Sequence, residues 1–131
     1  MEVRQLAVLL GDPLTLDAWI RRGWQYVPDP DDYEFVRTPT LQLHEAAVNG
    51  GHLKGDCDDA ATLAASILTA MRWPWRFVAI RRRPEPEFSH VFVRIPLYGS
   101  ADSAFQWDID PIVPAEALPL AGDFELMTVS L

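Results

Sequence analysis

Cysteine is nearly absent: Cys57 is the only one in 131 residues. A single thiol cannot close an internal disulfide, so nothing implies an oxidising compartment. An excess of positive charge is missing too. Eleven Lys and Arg stand against nineteen Asp and Glu, a net charge of −8, whereas nucleic-acid binding is driven by clustered cations. The one basic run, Arg81-Arg82-Arg83, is followed by Glu85 and Glu87, which partly cancel its field. No apolar stretch approaches the roughly 18 residues of a membrane span. No basic segment followed by a long apolar run opens the chain, so no signal peptide is expected. These absences exclude nucleic acid and membrane from the expected partners.

What is present reads as one globular domain over residues 1–131. Hydrophobic residues make up 49% and charged residues 23%, enough to bury a sizeable core. Eleven prolines punctuate the segments between periodic stretches.

Apolar side chains at Val3, Leu6, Ala7 and Leu10 have helical spacing, and Gly11-Asp12-Pro13 ends that pattern. A second helix is expected over about Thr15–Tyr26. "VPDPDDYEFVRTP" reads as an ordered loop. Thr38-Pro39 then supplies an N-cap and a first-turn proline for a short helix ending at Asn49-Gly50-Gly51. From Cys57 to about Arg72 the pattern is strongly helical. Ala60, Ala61, Ala64, Ile67, Leu68 and Met71 make a wide apolar face, and Asp58, Thr62, Ser66 and Thr69 a narrow polar stripe. So little polar surface implies a central helix packed on neighbours. The remainder predicts strands: "WRFVAIRRR", then "FSHVFVRIPLY" with Val91, Val93 and Ile95 alternating against His90, Phe92 and Arg94, then "AFQWDID" closed by Pro111, and finally "FELMTVSL". "PEPE" and "GSADS" are the expected turns. Helices first and strands second describe an α+β domain in which the cysteine helix packs on an antiparallel sheet.

Cys57 stands at the entrance of its apolar run, among acids. With Cys57 as the first helical residue, Asp56 becomes the N-cap and Asp59 takes the third position of a capping box. Free N–H groups and the helix dipole favour a thiolate there by roughly 0.3–1 kcal/mol, while three neighbouring carboxylates oppose it. A cationic partner is therefore required, and a histidine is the usual one. His90 opens a strand, and Asp108 and Asp110 lie on one face of the next strand. If those strands pair, either aspartate can sit beside His90. Thiol, imidazole and carboxylate then form a nucleophile, a base and an orienter.

At these residues the chain resembles a known family. "GDCDDAATLAASILTAMRWPWRFVAI", "FSHVFVRI" and "WDIDP" are similar to the transglutaminase-like cysteine protease superfamily. The preceding "YVPDPDDYEFVRTPT" resembles its short phage- and prophage-type members. The resemblance spans roughly residues 24 to 114. It implies a papain-like core and a triad of Cys57 as nucleophile, His90 as general base and Asp110 as the aspartate before a proline. Asp108 is the second choice, because Trp107 precedes Asp110 by three residues where four is common. The expected oxyanion donor is the Cys57 backbone N–H. The resemblance implies a peptidase, amidase or acyltransferase acting on an amide of a peptide or protein, with no cofactor and no metal. It also implies a setting in the bacterial cytoplasm or the virion, with phage structural proteins as further partners.

Two other readings compete. His44, His52, Cys57 and His90 could ligate zinc, but His52 and Cys57 lack the spacing of a ligand pair and there is no second cysteine. Alternatively the chain is a non-catalytic virion or assembly protein that keeps the fold, with Trp19, Trp24, Tyr26, Tyr33 and Phe35 lining a partner surface.

Overall fold

Local signals start the helices of the computed structural model, which describes residues 2–27, 38–82, 90–97, 105–112 and 124–130. Residues 28–37 of the expected loop, and the turns "PEPE" and "GSADS", lie outside the described residues. Helix α1 (Val3–Leu10) begins with a capping box between Glu2 and Gln5 and stops at Gly11, whose φ of 82° suits glycine. Helix α2 (Pro13–Gly23) has Asp12 as N-cap, accepting from the Thr15 N–H at 2.8 Å, with proline at its first position. Helix α3 (Pro39–Val48) repeats that device with Thr38 and Pro39.

One boundary differs from the sequence expectation. The second helix begins two residues earlier than expected and ends at Gly23, and Trp24–Tyr26 is strand β1. It pairs in parallel with β2 (Leu53–Gly55), with Trp24 opposite Leu53 and Tyr26 opposite Gly55. Neither three-residue strand has a local period to reveal it. The pairing across the α3 segment overrides the helical preference of the preceding run.

Helix α4 (Cys57–Ala70) follows β2 directly. Strands β3 (Arg76–Arg82), β4 (His90–Pro96), β5 (Gln106–Ile109) and β6 (Phe124–Ser130) form a sheet of order β5-β4-β3-β6. All three of its pairings are antiparallel. The protein is thus α+β.

The core lies between α4 and this sheet. Leu63, Ala64, Ile67 and Leu68 pack with Val93, Ile95 and Ile109, and α1–α3 add Leu6, Leu16, Ile20 and Leu43. Leu63 and Ile67 are fully buried, so truncating either to alanine should cost about 2–5 kcal/mol. The expected polar stripe of α4 is there as well. Thr62 and Ser66 are half-buried and Thr69 is exposed, and Ser66 and Thr69 hydroxyls bond back to the carbonyls of Thr62 and Ala65. On the other side of the sheet Val78, Ile80 and Phe92 form a second buried cluster. The indole N–H of Trp73 donates to the Pro96 carbonyl at 2.9 Å, which ties the rear of α4 to the end of β4.

Candidate active site

The front of α4 is fixed by its own residues. Asp56 Oδ1 accepts from the N–H groups of Asp58 and Asp59 at 3.1 and 3.3 Å. Asp59 Oδ2 accepts in return from the Asp56 N–H at 3.1 Å, completing the capping box. The Asp56 carboxylate is thereby engaged with the second and third helical residues, while Cys57 supplies the first N–H of the helix.

Two further elements hold this turn, and sequence reasoning missed both. Gly55 has φ +147°, and a Cβ there would lie 2.6 Å from Asp59 Cβ. The buried Asp59 side chain occupies the space that any other residue at 55 would need. The Gly55 carbonyl accepts from the Trp24 indole N–H at 3.2 Å and from the Val27 N–H at 2.9 Å. Strand β1 thus grips the peptide just before the cysteine turn. From the opposite side, buried Gln42 of α3 donates to the Asp59 carbonyl at 3.0 Å. A glycine before an Asp-Cys-Asp-Asp turn hints at the first constraint. Nothing local hints at Trp24.

Cys57 is half-buried and free. His90, at the start of β4, lies near two of the residues singled out from sequence. Its Nε2 lies 2.5 Å from Asp110 Oδ2, and Cys57 is close enough to act on its charge. With Nε2 committed to Asp110, Nδ1 is the ring nitrogen not engaged by that carboxylate. Burial disfavours a charged imidazole. Asp110 and Cys57 together outweigh that cost and push the His90 pKa from 6.5 up to about 9.

Asp108 is elsewhere. It lies directly opposite Arg94 in the β4–β5 register and receives both Nε and Nη2 of that guanidinium, at 2.7 and 3.2 Å. Asp110 is 3% exposed, and its second oxygen accepts from the Ile112 N–H at 3.1 Å. Phe92 separates the two carboxylate pairs. The His90 ring lies 5.9 Å from its centroid and the Arg94 guanidinium carbon 5.7 Å.

Among the described residues no group of three or more His, Cys, Asp and Glu side chains could hold a metal ion. Trp19 and Trp24, considered above for a partner surface, pack against the core, while Tyr26 is exposed. Tyr33 and Phe35 lie outside the described residues. No helix among the described residues is long and apolar enough to cross a membrane.

No family model matches the chain, and no curated protein or solved structure matches it either.

Proposed function

We propose that the protein is a cysteine acyl-transfer enzyme that opens an amide bond of a peptide or protein. The observation that carries this reading is His90, which bonds to buried Asp110 and has Cys57 as the other group that favours its charged form. The resemblance to transglutaminase-like cysteine proteases, and with it a papain-like core, agrees with this arrangement. So does a cysteine helix that packs on an antiparallel sheet.

In this mechanism a raised His90 pKa favours the imidazolium beside the sulfur. The Cys57 sulfur attacks the amide carbon, and the developing oxyanion is met by the Cys57 backbone N–H. As the tetrahedral intermediate collapses, the C–N bond breaks and His90 gives its proton to the departing nitrogen. The chain then holds the acyl group as a thioester on Cys57. A water molecule or a primary amine attacks that thioester while neutral His90 takes its proton, which returns the ion pair. Water gives hydrolysis and an amine gives transfer. Asp110 keeps the ring oriented and supports its charge in both halves. The setting implied by the resemblance is a phage or prophage, with the protein in the bacterial cytoplasm or in the virion.

The test is alkylation by iodoacetamide at pH 6, where a free thiol is almost wholly protonated. Cys57 should react faster than free cysteine, and His90→Ala should remove the excess. A Cys57 that reacts no faster than free cysteine would sink the reading and leave a protein that uses its fold for assembly.

A further inference from the structure

The mechanism needs Asp110 at a fixed angle to His90, yet Asp110 lies just past the end of β5. Among the described residues strand β5 is an edge of its sheet, so no described strand runs beside its outer carbonyls. Two of them are nevertheless held. Arg21 of α2 donates from Nη1 to the Asp110 carbonyl at 2.7 Å and from Nη2 to the Asp108 carbonyl at 2.9 Å. A planar fork spans the two acceptors in the way a partner strand would. The third donor, Nε, bonds to Asp17 Oδ1 at 2.7 Å, one helical turn earlier. Asp17 is 6% exposed, and its other oxygen accepts from the Trp107 indole N–H at 3.0 Å. The chain Trp107–Asp17–Arg21 therefore leaves β5, crosses α2 and returns to the backbone of Asp110.

We propose that Arg21 is a positioning residue for the His90–Asp110 pair, fixing Asp110 through its backbone while Asp17 and Trp107 fix Arg21. The functional meaning of this inference rests on the acyl-transfer reading above. Loss of the fork frees the peptide that carries the Asp110 carboxylate. The carboxylate then spends less time against Nε2, and the imidazolium loses support. Among the described residues the charged or titratable groups that act on the ring are Asp110 beyond β5 and Cys57 on α4. Arg94 lies further along β4, past Phe92, and is paired with Asp108.

The experiment is an NMR titration of His90 in the full chain, comparing wild type with Arg21→Met, Arg21→Lys and Asp17→Asn. Arg21→Met should lower the His90 midpoint by about half a pH unit or more. Arg21→Lys should restore part of the shift, because an ammonium keeps the charge but cannot span two carbonyls in a fixed plane. A role confined to holding the fold would lower the melting temperature and leave the His90 midpoint of the folded variant at the wild-type value, and that result overturns the proposal. If Arg21→Met does not fold, Asp17→Asn carries the test. Its smaller downward shift supports the proposal and an unmoved midpoint overturns it. The two readings fail separately. A slow Cys57 with a shifted Arg21→Met midpoint removes the acyl-transfer reading alone. A fast Cys57 with an unshifted midpoint removes the role of Arg21 alone.

Discussion

Asp108 and Asp110 leave the same strand end and meet cations on the same neighbouring strand, but in different surroundings. Asp108 takes two bonds from Arg94, and the side chains are 19% and 23% exposed. That pair is closed, because the carboxylate and the fork satisfy each other. Asp110 takes one bond from His90, and the side chains are 5% and 14% exposed. That pair is open on one side, because only one of the two imidazole nitrogens is bonded to Asp110. A guanidinium stays charged at any pH the protein meets, whereas an imidazole can give up its proton. The same carboxylate chemistry thus closes a strand pair at Asp108 and favours a charged imidazole at Asp110.

The largest expected contrast comes from neutralising each carboxylate in turn. Asp110→Asn should lower the rate of Cys57 alkylation at pH 6 towards that of free cysteine, because the imidazolium that favours the thiolate loses its carboxylate. Asp108→Asn should leave that rate at the wild-type value. Equal effects of the two substitutions would dissolve the distinction.

The next effect is on stability against pH. The His90 pKa is raised from 6.5 to about 9 in the folded chain, so its contribution is fully present below about pH 6.5. It declines as the pH rises and is gone above about pH 9, with a total near 3 kcal/mol. Denaturant melts across that window should show the decline in wild type, and Asp110→Asn should flatten it. A wild-type profile as flat as the variant's would contradict the assignment. Asp108→Asn removes the bonds to Arg94 and leaves the His90–Asp110 pair in place, so it should cost about 1 kcal/mol and keep the decline.

The smallest effect concerns the thiol itself. Cys57 is half-buried at a helix start, so Cys57→Ser should change stability by less than about 1 kcal/mol. A larger loss in thermal melts would point to a packing role for the sulfur.

What could be read from the sequence divides along the same physical line. The start of α4 depends on residues within three positions of one another, so Asp56 as N-cap, Asp59 in a capping box and Cys57 at the first position were legible. The alternation that set His90, Phe92 and Arg94 on one side of β4 was legible for the same reason. The choice between Asp108 and Asp110 was not, from strand patterning alone, because it depends on register. Register sets Arg94 directly opposite Asp108, and that leaves Asp110 to reach diagonally to His90. The hold of Trp24 on Gly55 and of Arg21 on Asp110 joins residues 31 and 89 positions apart. No local pattern encodes such contacts. An Asp and an Arg one turn apart on α2 look like an ordinary surface pair.

The most direct test of the account is the pre-steady-state reaction with p-nitrophenyl acetate, an activated acyl donor that needs no knowledge of the natural substrate. The account predicts a stoichiometric burst of p-nitrophenolate with the acetyl group on Cys57. The burst should be lost in Cys57→Ser and greatly slowed in His90→Ala. No burst, or a burst that persists in Cys57→Ser, would contradict it.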